Sequence, residues 1–331
     1  MDEFALIRRY FAALSEPSDS VIRGIGDDAA ILAPPPGHEL LMTSDSLVAG
    51  RHFPLSTTAF DIGWKALAVN LSDLAAMGGQ PLWFLLALTI PEPDEAWLAD
   101  FAEGLRALAR EQGIALVGGD TTRGPLAITI TAIGAAPAGM ALRRDRARPG
   151  DLVCVTGTLG DAALGLRLTG HRAAAMQDDA REPCAQTQHD LEALRVRLDR
   201  PMPRLQAGLA LRALATAAID LSDGLAGDLG HVLAASAVGA ELEAGALPMS
   251  EAFARQAESR DRLALQAAGG DDYELCVCVP PARLAAAQRA LAPLPLTVIG
   301  RIGSEPGLRW RAGDGSLLTP ALNSYQHFDE R

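Results

Sequence analysis

"AFDIGWKALAVNLSDLAAMGGQPLWFLLALTIP", residues 59–91, holds two periodicities in one stretch. Residues 59–78 are rich in small and apolar residues and read as a helix, with Asn70 and Asp73 three apart, the spacing of one helix face. Gly78 and Gly79 then supply a helix stop. "PLWFLLALTIP" is an apolar run, broken only by Thr89, of strand length, so it reads as a strand buried on both faces. A helix feeding a strand makes the chain a mixture of α and β.

Working outward, residues 2–14 read as a helix, with Phe4, Ile7, Tyr10 and Phe11 at helical spacing. "DDAAILAPP" reads as a strand stopped by Pro34–Pro36, and "HELLMTSDSL" as a second strand that runs out at Ser44 and Asp45. Residues 94–112 carry a helical pattern. "GIALVGGDTTRG" is a strand ending in a glycine turn, and "PLAITITAIGAAP" is another strand. Composition then shifts at "RRDRARPGD", residues 143–151, which is basic and ends in a Pro-Gly turn. The expected organisation is two domains, residues 1–142 and 143–331. The second again mixes strands with helices, and residues 172–190 form a polar surface excursion. This is an α+β plan with a mixed-sheet N-terminal domain and an α+β C-terminal domain.

The totals exclude several classes. A net charge of −12 disfavours non-specific nucleic-acid binding, and no Lys/Arg cluster suits an anionic membrane surface. No stretch approaches about 18 consecutive apolar residues, and "MDEFALIRRYF" lacks the basic and apolar regions of a signal peptide. A cytoplasmic protein is expected. Cys154, Cys276 and Cys278 sit in strand-like apolar runs, where cysteine behaves as a small hydrophobe; with no C-x-x-C present, a zinc site is not expected. Lys65 is the only lysine and stands outside any G-K-[ST], so the chain is no Walker-A nucleotide binder. No G-x-G-x-x-G opens a βαβ unit.

The informative residues are acids. Six small turns carry them: "GDD" (26–28), "SDS" (44–46), "SDL" (72–74), "GGDT" (118–121), "DLSDG" (220–224) and "GGDDYEL" (269–275). Their Gly, Ser and Thr neighbours leave room for an ion or phosphate to approach the backbone. Taken singly, Asp before Gly can be a turn former and Ser-Asp an N-cap. Asp73 on an apolar helix needs a counter-charge, and Lys65 lies two turns away and nearer to Asp61. Mg²⁺ suits the position better, since it takes one or two carboxylates together with substrate phosphates.

In order and spacing, "GDDAA", "TSDSLVAGRHF", "KALAVNLSDLAAMG", "GGDTTRG", "RARPGDLVCVTGTLGDAALGL", "DLSDGLAGDLGH" and "GGDDYEL" resemble the thiamine-monophosphate kinases. The motifs cover nearly the whole chain, and jointly they are specific. The selenophosphate synthetases of the same superfamily carry a reactive Cys in an N-terminal glycine-rich segment, whereas no Cys precedes residue 154 here. The resemblance implies phosphorylation of thiamine monophosphate by ATP with several Mg²⁺ ions. It also implies a homodimer joined through the N-terminal sheets, with the active site in the cleft that the C-terminal domain closes.

Carried over by motif, the resemblance makes Asp28, Thr43, Ser44, Asp45, Asp73, Asp120, Asp220 and Asp223 the magnesium set, with Asp45 and Asp73 bridging ions. Gly119, Asp120, Arg144 and Ser222 are implied for ATP, Arg144 as the phosphate clamp, and His52, Asp271 and Tyr325 for the substrate. Two positions depart from the family pattern. Asp271 stands where Glu is usual, and Tyr325 of "NSYQHF" where a Trp in a Gly-Trp pair is usual. On an extended chain Asp27 and Asp28 point opposite ways, so both cannot face one site equally; the resemblance makes Asp28 the ligand, with Asp27 orienting the turn or contacting metal-bound water.

A phosphate monoester is largely ionised near pH 7 and needs no strong general base, so catalysis reduces to aligning two anions and neutralising them. The competing readings are another ATP-dependent enzyme of the superfamily, such as an aminoimidazole ribonucleotide synthetase, and a non-catalytic nucleotide or thiamine-phosphate sensor.

Overall fold

The computed structural model describes residues 3–15, 19–169, 185–320 and 322. Two compact units emerge. One takes Met1–Leu74 and Gly79–Ala141; the other takes Ala75–Gly78 and Leu142–Arg331. Each combines helices with a sheet, giving the α+β architecture expected.

The first unit opens with a helical turn α1 (Glu3–Leu6), which continues as π-helix to Phe11 and 3₁₀-helix to Leu14. A two-stranded ribbon, β1 (Val21–Arg23) and β2 (Ile31–Leu32), follows. The strand expected over "DDAAIL" is shorter than the pattern suggests. Residues 25–29 form bends, and only Ile31–Leu32 pair. Asp27 and Asp28 therefore lie in a turn, and strict strand alternation does not govern them.

The main sheet of this unit has the order β3-β6-β4-β5, built from β3 (His38–Val48), β4 (Gln80–Ile90), β5 (Ala115–Arg123) and β6 (Ala127–Pro137). Only β4 and β5 are parallel, as their connection through α3 (Glu95–Gln112) requires. Asp94 caps α3 by accepting from the N–H groups of Ala96 and Trp97, and Gly113 ends it in the left-handed region. The helix α2 (Ala59–Ala76) crosses α3 at two glycines. A Cβ on Gly63 would stand 2.1 Å from the Phe101 carbonyl oxygen, and one on Gly104 would stand 1.9 Å from that of Phe60. Leu67, Leu71, Phe84, Leu88, Leu98, Phe101 and Leu105 are fully buried, each contributing about 1.5–3 kcal/mol.

Contrary to the sequence reading, β4 is not buried on both faces. Leu86 and Leu88 are buried, whereas Leu85 and Ala87 are exposed. An apolar run covered on both faces and one covered on a single face look alike in sequence.

The second unit carries a seven-stranded sheet, order β13-β12-β9-β11-β7-β10-β8. Its strands are β7 (Leu152–Thr156), β8 (Ala217–Asp220), β9 (Gly239–Glu243), β10 (Leu275–Val279), β11 (Leu296–Gly303), β12 (Gly307–Arg311) and β13 (Leu317–Leu318). Its helices are α4 (Asp161–Thr169), α5 (Ala185–Asp199), α6 (Leu205–Leu211), α7 (Leu225–Ser236), α8 (Glu251–Gln256), α9 (Arg262–Ala268) and α10 (Leu284–Leu291). Val153, Val155, Ile219, Leu229, Val232, Ile299 and Trp310 form the core. Cys154, Cys276 and Cys278 are buried free thiols, and burial pushes the Cys154 thiol up to about 12, so they serve as apolar packing.

Candidate active site

In the first unit, β3 meets one face of α2. Thr43 donates its hydroxyl to Asp73 Oδ2 at 2.5 Å. The Asp45 backbone N–H donates to Asn70 Oδ1 at 3.1 Å, and Asn70 Nδ2 is tied to the Ala66 carbonyl. Thr43 and Asp45, two apart on a strand, share a face. The helix face carrying Asn70 and Asp73 thus meets the strand face carrying Thr43 and Asp45. Ser44 points the other way. Its hydroxyl donates to the Ile130 carbonyl at 3.3 Å and lies 3.0 Å from Thr131 Oγ1.

His52 closes the end of β3. Its Nδ1 accepts the Val48 N–H at 2.9 Å, which places the proton of the neutral ring on Nε2. In the turn before β2, Asp27 Oδ1 accepts the Asp28 N–H at 3.0 Å and Oδ2 pairs with Arg23 at 3.2 Å, while Asp28 is exposed.

Gly119 and Asp120 lie on β5. Along one rung of the sheet, Asp45 pairs with Ile130, Ile130 with Leu86, and Leu86 with Gly119. Three inter-strand spacings separate the two edges by about 14 Å. That exceeds the reach of two aspartates to one ion within this sheet. Gly119 has φ 150°, and a Cβ there would stand 1.8 Å from the Leu86 carbonyl oxygen, so only glycine fits.

In the second unit, Asp220 ends β8, buried and registered against Leu275. The turn after it is held from two sides. The N–H groups of Ser222 and Asp223 both donate to Asp228 Oδ2, at 3.0 and 3.1 Å. The carbonyls of Leu221 and Ser222 accept from Tyr273 and Asp271, each at 2.8 Å. "DLSDG" and "GGDDYEL" therefore run together. Asp271 (φ 60°) and Tyr273 (φ 48°) are non-glycine residues in the left-handed region, at about 1–2 kcal/mol each. Arg144 opens a 3₁₀ turn whose position α7 sets, because Ser236 Oγ donates to the Arg144 carbonyl at 2.8 Å. Arg144, Ser222, Asp223 and Asp271 thus share one hydrogen-bonded neighbourhood centred on α7. Tyr325 lies outside the described residues.

Beneath this turn sits a buried charge cluster. Glu274 accepts from Arg197 at 2.9 Å, from Arg204 Nε at 2.7 Å and from Thr156 at 2.7 Å. A Cβ on Gly157 (φ 58°) would stand 2.1 Å from Glu274 Oε1. Asp272 is buried, accepts the Gly160 N–H at 2.9 Å, and has its carboxyl held well above the usual range by burial.

Sequence reading passed over Asp228. The available signal was an acid in the first turn of an apolar helix, five residues past Asp223. Burial pushes its carboxyl up to about 7, against the two N–H bonds and the Arg144 charge. In the unfolded chain it titrates near ~4. Between these values the folded state holds the extra proton, so this group's contribution to stability falls as pH rises from about 4 to 7. Metal-free Asp228→Asn should show a smaller fall than wild type in urea titrations across that window; parallel curves would contradict this.

The donor set is all oxygen, as Mg²⁺ prefers. Among the described residues no three His, Cys, Asp or Glu side chains form a metal cage. A site of one or two carboxylates plus substrate phosphates needs none, and Thr43, Asp45 and Asp73 fit that pattern. Among the described residues no helix is long and apolar enough to cross a membrane.

Residues 26–136 match the N-terminal domain of the AIR synthase related proteins, and residues 148–312 match their C-terminal domain. The chain is 45% identical over 329 residues to a thiamine-monophosphate kinase of Salmonella typhimurium, covering 98% of each. The crystal structure of thiamine-monophosphate kinase from Stenotrophomonas maltophilia superposes with a TM-score of 0.86 at 48% identity, covering 96% of this chain and 98% of that one. AaThiL complexed with AMPPCP and TMP superposes with a TM-score of 0.75 at 31% identity, covering 98% and 97%. Both halves of the chain and its full length agree: it belongs to the AIR synthase related proteins, among the thiamine-monophosphate kinases.

Proposed function

We infer that the protein transfers the terminal phosphoryl group of ATP to the phosphate of thiamine monophosphate. A substrate phosphate oxygen forms the new O–P bond, the β–γ bridge of ATP breaks, and ADP and thiamine diphosphate leave. The observation that carries this reading is the 45% identity, over 98% of both chains, to a named thiamine-monophosphate kinase.

The residues suit that chemistry. Thr43, Ser44, Asp45 and Asp73, with Asp28, Asp120, Asp220 and Asp223, would hold Mg²⁺, whose charge would offset that of the phosphates. Arg144 provides a planar fork for phosphate oxygens. Gly119 offers close backbone approach, and Ser222 a hydroxyl. His52 and Asp271 are assigned to the substrate. Purified protein with ATP, Mg²⁺ and thiamine monophosphate should yield thiamine diphosphate by chromatography. ADP release only with a purine-pathway substrate, or binding without turnover, would overturn the assignment.

We also propose a homodimer joined through the four-stranded sheet. The open face of that sheet carries Met42 (67% exposed), Leu40 (47%), Val48 (41%) and Leu85 (37%), a concentration unusual on a lone surface. The two sheet edges hold Asp45 and Asp120 apart, and a second sheet packed on this face offers a route for opposite edges to approach. Sedimentation equilibrium should give twice the chain mass, and Met42→Asp with Leu85→Asp should give monomers; a monomeric wild type refutes the pairing.

A further inference from the structure

We propose that Asp228 is a positioning residue for phosphoryl transfer, holding the turn that carries Ser222 and Asp223 in its working shape. The proposal rests on the function inferred above.

The geometry points this way for three reasons. First, Asp228 is the fourth residue of α7, yet its Oδ2 serves no amide inside that helix. It reaches back past the N-terminal Gly224 to the N–H groups of two consecutive turn residues. Gly224 itself supplies no side-chain cap, and this carboxylate instead takes the N–H groups of two residues that precede the helix. The helix N-terminus favours its negative charge.

Second, the other side of the turn is already committed. The Leu221 N–H donates to the Glu274 carbonyl at 2.9 Å, and the Leu221 and Ser222 carbonyls accept from Tyr273 and Asp271. Asp228 thus closes the amide side of a turn whose carbonyl side is tied to Asp271. Releasing it loosens Ser222 and Asp223 while leaving the strand pairing of β8 with β10 in place.

Third, α7 links both arms of this neighbourhood. Its start holds the Ser222–Asp223 amides through Asp228, and its end holds the Arg144 carbonyl through Ser236. A residue misplaced by about 1 Å in such a site can cost on the order of 100-fold in rate.

Wild type, Asp228→Ala and Asp228→Asn separate positioning from folding. Asparagine keeps an oxygen acceptor at the same reach; alanine keeps none. For Asp228→Ala we expect faster amide hydrogen exchange at Ser222 and Asp223 in the free protein. Its kcat should fall at least about tenfold and its KM for ATP rise, on the scale of a misplaced reactant. Asp228→Asn should restore both to within about threefold, a rescue that turns on the acceptor rather than on stability. Asp228→Ala kinetics within twofold of wild type, or a lower melting temperature alone, overturn the proposal. If wild type makes no thiamine diphosphate, the inferred function falls instead. Calorimetric Mg·ATP affinity then decides the role of Asp228, and equal affinities in wild type and Asp228→Ala overturn it.

Discussion

Asp45→Asn lowers kcat for thiamine diphosphate formation by at least about 100-fold, the scale of losing one major electrostatic contact. The substitution is isosteric, so it removes charge and little else. Asp45 is exposed, and its main chain is held by the Asn70 bond and by the ladder to β6. Stability should therefore stay within about 0.5 kcal/mol of wild type. The carboxylate shares its face of β3 with Thr43, whose hydroxyl engages Asp73, so it belongs to the group proposed to hold Mg²⁺. An amide oxygen is a weaker ligand for a hard divalent cation. Steady-state assays at saturating Mg²⁺ measure the effect, and near-normal turnover would remove Asp45 from the metal set.

Glu274→Ala destabilises the protein by about 3–5 kcal/mol, as expected when one partner of a buried ion cluster is removed. Glu274 is fully buried and accepts from two arginines and a threonine. Its removal leaves Arg197 and Arg204 facing each other without their shared anion. Thr156 would keep one partner role, because its hydroxyl also accepts the Leu275 N–H. Equilibrium urea unfolding checks this, and a loss below 1 kcal/mol would contradict it.

The elements best read from sequence are those with local chemistry of their own. Residues 59–76 and 95–112 announce themselves by helical periodicity, and the first also by the glycines at its end. The acid-bearing turns are legible because Gly, Ser and Thr beside Asp are unlike a core. Readings failed where the answer depends on a distant neighbour. "DDAAIL" has strand-like composition, but residues 25–29 bend and two residues pair. "PLWFLLALTIP" has one polar residue, Thr89, on the open face that Leu85 and Ala87 occupy, too little to mark that face.

The site divides along the same line. By itself the sequence determined the α+β class, the acid-rich turns, the lack of a P-loop motif and of any C-x-x-C, and, by resemblance, the family. All of these follow from residue type and short-range spacing. Tertiary structure alone decided that Thr43 and Asp45 face Asp73 while Ser44 faces Thr131. It also decided that Asp45 and Asp120 stand at opposite sheet edges, and that Asp228 turns back onto the Ser222–Asp223 amides. Strand order and side-chain direction depend on contacts between residues tens of positions apart, and spacing along one chain does not encode which of those partners meet.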